Sequence, residues 1–528
     1  MTHDMLQTLD SLILDFRLDI HEGMDWSKFP PAPRMSPATP HRLNKLYAIQ
    51  KQDASYRKFL QNTNVTVTGT IDDHDMGINN GDETYEFKTE SGVEFLDFIE
   101  KDKQSVMYKR AKNGYGVYGV TVFDFDRGDE EYLLSDEDAG IDPDVVGYTK
   151  KPKEFKDKRV AIFVLDVRTN RTPWGIEMAA WRRNYDGDFL GERQWKWFDT
   201  ALRHSDASVN IIVNGLQVHP FRHPNADLAE NWAQFPTSRQ RFYDTILKDD
   251  VRAPVLVSGD VHMTQLMRKD CWPRDEKDAS ASSKRSLVEF TTSGMTHSWG
   301  SVFSPDEKFH HTWYKYYPMH ILSKAVMTLS YWIVPMHDMM VSKMFGNADG
   351  DEGQKKRTLF ENGGAEGAKQ GKQFSLEKNF GEIEIDWKYE TVTIRAFGEE
   401  TNASSPLLAA RFSIDQLSGL ESMPDAVSIN DMEAFRKPDF VLVDGDIIPG
   451  SEQICVNHLG PASTFQFVFG LLGVFSFLCL CMLGPQIMFL RLISKRLMKA
   501  RCTKAQSTTG TQAAAMTDIV QIDTITSL

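Results

Sequence analysis

The chain has 528 residues, enough for roughly two to four domains, and its 41% hydrophobic, 25% charged composition is that of a folded protein with a sizeable core. A formal net charge of −14 and a pI near 5.5 exclude the basic face of a nucleic-acid binder. An acidic surface also repels anionic substrates at long range, so an enzyme acting on them needs local positive charge, for which bound metal is the usual source.

In chain order, the acidic start shows neither the basic region nor the small-residue cleavage site of a secretory signal. Residues 1–40 read as an N-terminal connector, irregular where PPAPRMSPATP interrupts it. Strand signals rich in β-branched and aromatic residues follow: VTVTGTI (65–71), VYGVTVFDF (117–125), RVAIFVLDV (159–167), VNIIVNGLQV (209–218), APVLVSGDV (253–261) and SLVEFTTSG (286–294). GERQWKWFDTALRHS (191–205) and PTSRQRFYDTILKD (236–249) carry helical periodicity with starting caps. This alternation predicts an α/β domain over 41–345, built around buried strands.

Before residue 346, an apolar stretch broken by Lys324, Pro335, His337 and Asp338 reads as a core or interfacial helix, not a membrane span. Residues 346–373, rich in Gly, Lys, Glu and Gln, read as a flexible insertion. NFGEIEIDWKYETVTIRAFG (379–398) alternates apolar and polar residues, so 374–417 is expected to add a late hairpin to the domain. A juxtamembrane segment, 418–463, then leads to an uncharged run over 464–490, which at about 20 residues per bilayer crossing is long enough for one transmembrane helix. Arg491, Lys495, Arg496, Lys499, Arg501 and Lys504 follow it, whereas 438–463 holds no Lys or Arg. The positive-inside rule then implies a single-pass protein with a lumenal or extracellular N-terminal domain and a cytoplasmic tail over 491–528, basic and then disordered.

Sequons at Asn64, Asn170 and Asn402 agree with that placement. Cys502 offers a palmitoylation site beside the span, although a bare juxtamembrane cysteine more often stays unmodified. The five cysteines include no CxxC zinc signature, and Cys479 and Cys481 lie in the apolar run. Nothing in the sequence requires or forbids a pairing of Cys271 with Cys455.

Two clusters carry chemistry. Ile71-Asp72-Asp73-His74-Asp75, followed by Gly77 and Asn79-Asn80-Gly81-Asp82, closes one apolar stretch, and Ser258-Gly259-Asp260-Val261-His262 closes another. Oxygen and imidazole groups are the ligands of hard and borderline cations, and loops at the carboxyl ends of buried strands hold them rigidly within reach of solvent. Taken alone, the first cluster also reads as a solvated acidic turn and the second as a strand end.

The ordered series IDDHDMGINNGD, LDVRTNRTPWG, FLGERQWKWFDTALRHS, IIVNGLQVHP, WAQFPTSRQRFYDTI, VLVSGDVH, VEFTTSGMTHS and NFGEIEIDW resembles successive blocks of the PhoD-like (alkaline phosphatase D) family over roughly residues 41 to 398. That family belongs to the calcineurin-like metallophosphatases, so the resemblance implies a two-sheet sandwich flanked by helices and a metal-dependent hydrolase of phosphoric esters, mono- or diesters. It implies two metal ions, calcium and iron, with zinc or manganese usual elsewhere in the superfamily. By position, Asp73, Asp260 and His262 resemble metal ligands, and Gln217 or Asn214 falls where another ligand is expected. His74 resembles the catalytic histidine that protonates the leaving oxygen. Asp166 and Arg168 resemble an Asp-x-Arg block, in which Arg168 either grips phosphate or forms a structural ion pair. His297 either lines the substrate pocket or is a core histidine. Trp195, Trp197 and Trp232 read as packing. Gly114, Gly116 and Gly119 match GxGxxG but run into a strand, which fails the context test for a dinucleotide site.

One block departs from the family pattern: no strand ending in Gly-Asp with a following Tyr-Ala-Asp-like segment precedes residue 41. The expectation is an N-terminal truncation, which also accounts for the missing signal. The alternative is a membrane-anchored pseudo-phosphatase that binds phosphorylated ligands without hydrolysis. The partners implied are a phosphoester substrate and, through the one helix, a membrane, with no nucleic acid.

Overall fold

The computed structural model describes residues 21–25, 32–35, 37–61, 66–125, 132–133, 141–145, 155–173, 184–219, 230–273, 284–295, 298, 374–375, 377–398, 401, 406–421, 423, 440–441, 451–457, 462–463 and 476. Strands β1 (His21–Asp25) and β2 (Ala32–Met35) form a small antiparallel ladder. Helices α1 (Pro40–Gln52), α2 (Ala54–Leu60), α3 (Asp73–Met76), α4 (Lys88–Phe98) and α5 (Val106–Lys112) follow. Then come β3 (Gly119–Asp124), β4 (Tyr132–Leu133), β5 (Lys156–Leu165), α6 (Gly191–His204), β6 (Ala207–Asn214), α7 (Pro236–Ile246), β7 (Pro254–Ser258), β8 (Thr264–Pro273) and β9 (Arg285–Thr292). The remainder comprises β10 (Phe374–Ser375), β11 (Phe380–Asp386), β12 (Thr391–Phe397), β13 (Leu408–Ser413), α8 (Ile414–Ser418), β14 (Phe440–Val441), β15 (Gln453–Asn457) and β16 (Ala462–Ser463).

A nine-stranded mixed sheet runs β10-β8-β9-β7-β6-β5-β3-β4, with β15 also paired to β8. Its centre, β5-β6-β7-β9, is parallel, and β3 and β8 flank it antiparallel. VNIIVN and PVLVS are nearly continuous apolar runs because parallel strands are covered on both faces. One face takes α6 and α7: Trp195, Phe198, Ala201 and Leu202 recur at helical spacing and pack with Phe242, Tyr243 and Ile246 over Phe163, Ile212 and Leu256. The other face takes the antiparallel sheet β11-β12-β13, with Val209, Val255, Val288 and Phe290 against Val392, Ile394, Ala410 and Phe412. In β11 the alternation resolves as expected. Ile383 and Ile385 pack toward that core, while Glu382 and Glu384 face outward and pair with Arg395. Two β-sheets flanked by helices make the metallophosphatase sandwich.

The expected strands over 117–125, 159–167, 209–218, 253–261 and 286–294 correspond to β3, β5, β6, β7 and β9, and the late hairpin to β11 and β12. The first expected strand does not form. Residues 66–72 join no ladder; Thr70 Oγ1 donates to the Val117 carbonyl at 2.7 Å, and Ile71 is buried against Phe95 and Leu96 of α4. Burial beneath a helix explains the apolar residues that suggested a strand.

The membrane expectations are corrected. Among the described residues no helix is long and apolar enough to cross a membrane. An uncharged run satisfies the hydropathy condition for a span, but a span also requires one continuous helix that satisfies its own backbone, and the described residues show none. Apart from Ser476, residues 464–490 lie outside the described residues, so the transmembrane helix expected there, and the membrane tether, membrane partner and single-pass topology drawn from it, find no support in the structure. Residues 465–528 form a second compact unit, of which Ser476 is described, exposed and helical. The insertion over 346–373, the interrupted apolar stretch before it, His297, and the sequons at Asn64 and Asn402 lie outside the described residues. At the third sequon the Asn170 amide donates to the Tyr115 carbonyl at 3.1 Å.

Candidate metal centre

The parallel strands β5, β6 and β7 end on the same edge of the sheet, where open α/β sheets place their sites. Their exit loops carry Arg168, Gly215 and Asp260. The turn before α3 completes the group: a Cβ added to Gly215 would lie 2.8 Å from Asp72 Oδ1, so only glycine lets the β6 loop approach that carboxylate. Helix α3 is a single turn in which Asp75 Oδ2 accepts the Asp72 N–H at 3.2 Å and Oδ1 accepts the Tyr47 hydroxyl. Gly77 ends it at φ +107°, a left-handed position where a Cβ would meet the Ala38 carbonyl at 2.6 Å. Asp260 and His262 also take left-handed backbone, φ +66° and +52°, which is uncommon for residues with side chains and concentrates at functional loops.

Asp72, Asp73 and Asp260 each offer one carboxylate oxygen within 4.8 Å of the others. Asp73 Oδ1 accepts the His74 N–H at 2.7 Å and its Oδ2 the Asn80 N–H at 3.1 Å. Arg168 is wholly buried and forks between these groups. Its Nε donates to Asp72 Oδ1 at 2.7 Å, its Nη1 to Glu230 Oε2 at 2.6 Å, and its Nη2 lies 3.4 Å from Asp260 Oδ1. Arg171 pairs with the other oxygen of Glu230 and donates to the Asn80 carbonyl at 2.8 Å. Four segments distant in sequence are thus tied into one network.

Burial pushes the Asp72 carboxyl up to about 6 against the pull of Arg168. Burial, then the Asp72 charge, raises Asp260 well above the usual carboxylate range. Burial opposes ionisation of Asp73 too, but Arg168, His74 and two backbone N–H groups hold it below its ordinary value. Arg168 is held protonated by the four carboxylates around it despite its burial. Crowded carboxylates of this kind accommodate positive charge, and oxygen donors at this spacing suit a hard or borderline cation. The donor set therefore fits metal coordination.

Of the residues expected at the site, the structure brings Asp73 and Asp260 together and adds Asp72, whose neighbour in the same motif had been given the ligand role. His74 and His262 are half-buried on the same two turns, the His262 N–H held by Ser293 Oγ at 3.1 Å. Asn214 and Gln217 make hydrogen bonds away from the carboxylate cluster. Asn214 Oδ1 accepts the Leu216 N–H and Trp232 Nε1–H, both at 3.0 Å, while Gln217 Nε2 donates to Gln265 Oε1 at 2.9 Å and Thr291 Oγ1 at 3.0 Å. Asp166 shapes the turn that presents Arg168, accepting the N–H groups of Arg168, Thr169 and Val117 at 2.9, 2.8 and 2.7 Å. Gly116 of the GxGxxG match is glycine for that reason, since a Cβ there would meet Asp166 Oδ2 at 2.8 Å. Glu230 carried no sequence signal, and Arg171 stood in the LDVRTNRTPWG block with no role assigned to it; both enter through long-range pairing with Arg168 and Asn80.

Residues 158–325 match the PhoD-like phosphatase family. No curated protein matches the chain. Among solved structures, one described as "Structure of PhoD" is similar at 15% identity, over 43% of this chain and 39% of that one, with a TM-score of 0.26; the match thus spans about two fifths of that relative's length. Taken with the carboxylate cluster, whose Asp260 lies in the matched stretch, the family match shows a PhoD-like phosphatase domain over residues 158–325, homologous at the level of family and fold to the calcineurin-like phosphoesterases, a superfamily of metal-dependent hydrolases.

Proposed function

We propose that the chain hydrolyses phosphoric esters with the help of a cation held by Asp72, Asp73 and Asp260. The observation that carries this reading is the convergence of those three carboxylates, from two segments far apart in sequence, beside the carboxyl ends of the parallel strands. A bound cation supplies Lewis-acid polarisation of the phosphoryl oxygens and neutralises their charge, which the acidic surface alone repels. His262 stands two residues from Asp260 on the same turn and is assigned to the same cation. His74, beside Asp73, is assigned to protonate the leaving oxygen. Arg168 faces carboxylates with its Nε, Nη1 and Nη2, so its part is to hold Asp72, Glu230 and Asp260 in place.

The test is hydrolysis of p-nitrophenyl phosphate and bis-p-nitrophenyl phosphate by the full chain with calcium, iron, manganese or zinc. Activity abolished by chelation, lowered at least about 100-fold in Asp260→Asn and about 100-fold in His74→Ala, is the expected result. Silence of the folded protein with every metal overturns it. If calorimetry then still shows cation and phosphate binding, the protein binds phosphoesters without turning them over.

A further inference from the structure

We infer that Glu289, on β9 and outside the carboxylate cluster, is the positioning residue that fixes the loop after β6 against both halves of the site. Its side chain is fully buried and accepts two consecutive backbone N–H groups, those of Val218 at 2.9 Å and His219 at 2.5 Å. Two oxygens of one buried side chain gripping successive amides hold the chain more tightly than a single hydrogen bond does. The clamped loop touches Asp72 and the chain beside Asp260 and Glu230. Gly215 packs against Asp72 with no room for a side chain, and its carbonyl accepts the Gly259 N–H at 3.2 Å, one residue before Asp260. The Gln217 carbonyl accepts the Trp232 N–H at 3.0 Å, two residues after Glu230, the partner of Arg168.

The surroundings of Glu289 show why a carboxylate stands there. Ser258 of β7 hydrogen-bonds it, Lys269 of β8 faces it with favourable charge, and His219, Tyr243 and Arg239 close the pocket from the loop and from α7. His219 Nδ1 lies 3.1 Å from the Tyr243 hydroxyl, which also donates to the Val218 carbonyl at 3.2 Å. The loop is therefore held from β9 by Glu289 and from α7 by Tyr243, and an acidic side chain is the acceptor that serves two adjacent donors at once. Asn214 and Gln217, expected as ligands, belong to the same support: their amides brace the loop from β6 and β8.

As a role at the metal centre, this inference rests on the cation site proposed above; the loop clamp itself does not. Two readouts separate them in Glu289→Gln, which keeps one acceptor oxygen, Glu289→Leu, which keeps none, and Asp260→Asn as the reference. Amide hydrogen exchange reads the clamp. Protection of Val218, His219 and Gly259 is expected to fall at least about tenfold in Glu289→Leu and less in Glu289→Gln, while β11 and β12 stay protected. Calorimetry with manganese or zinc reads the site. Affinity is expected to drop about tenfold in Glu289→Leu, partly recovered in Glu289→Gln, against a larger loss in Asp260→Asn. If Glu289→Leu does not fold, Glu289→Gln carries both measurements with the same expected directions. Unchanged Gly259 protection in the Glu289 variants overturns the inference. Loss of Gly259 protection with no cation binding by the wild type keeps the clamp and removes the metal reading. Cation binding lost in Asp260→Asn but untouched in the Glu289 variants keeps the metal reading and overturns the positioning role.

Discussion

Arg168 governs the electrostatics of the candidate site, because its buried guanidinium bridges Asp72 and Glu230 and reaches Asp260. Removing one partner of a buried charge network leaves the others desolvated and unpaired, which costs about 3–5 kcal/mol. Arg168→Met is therefore expected to lower the urea midpoint strongly, and Arg168→Lys to recover little, since an ammonium cannot fork toward Asp72 and Glu230 together. Added divalent cation is expected to restore part of the loss by mass action, as positive charge returns among the carboxylates. An unchanged midpoint in Arg168→Met would show that the network carries no weight in folding. Asp73 and Asp260 were legible in sequence because each closes a short motif with local spacing. Glu230 was not. It sits in NADLAENWAQF, where nothing local distinguishes a solvated glutamate from one buried against two arginines 62 and 59 positions away.

At the scale of elements, the strands that follow the sequence pattern are those whose apolar runs face two covered surfaces. The ten-residue β8 was missed because RKD at its centre reads as a loop, yet Arg268, Lys269 and Asp270 are all buried there. Arg268 donates to Asp270 Oδ1 at 2.9 Å and Ser286 to the same oxygen at 2.7 Å, so long-range pairing supplies what local propensity lacks. Cys271 lies next in that buried stretch and is disulfide-bonded to Cys455, its opposite number in β15, 184 residues along the chain. Sequence alone offered no reason to choose that pair over free thiols, since the approach is created by the pairing of the strands. Closing so long a loop restricts the unfolded chain, and reduction or Cys455→Ser is expected to cost about 2–5 kcal/mol in chemical denaturation. Cation affinity is expected to stay unchanged, because the bond lies at the end of β8 away from Thr264 and the Asp260 turn. A fall in affinity on reduction would instead tie the edge of the sheet to the site.

For the molecule as a whole, hydropathy and motif order anticipated the layers of the sandwich, whereas the membrane span expected at 464–490 has no support among the described residues, since an uncharged run measures preference for an apolar phase and not helix continuity. The buried polar face of the large sheet leaves a global signature in the pH dependence of stability. Burial pushes the Glu289 carboxyl from 4.5 to about 7, although the Ser258, Val218 and His219 contacts and the Lys269 charge favour its ionised form. Its folded pKa lies above its unfolded one, so the folded state binds the extra proton. The resulting stabilisation is complete below about 4.5 and is lost as pH rises through about 7. Glu289→Gln has no proton to lose there. Relative to that variant, the wild type is expected to weaken by on the order of 3 kcal/mol across this window. Asp73 has the opposite sign: held below its ordinary value, it adds stability at neutral pH that disappears on acidification. Urea denaturation of wild type and Glu289→Gln at intervals from pH 4 to 8 separates the two, because the Asp73 contribution is common to both proteins and cancels in the difference. A difference that stays flat across neutrality would mean that Glu289 is already ionised at low pH, with Lys269 and the two amides outweighing its burial.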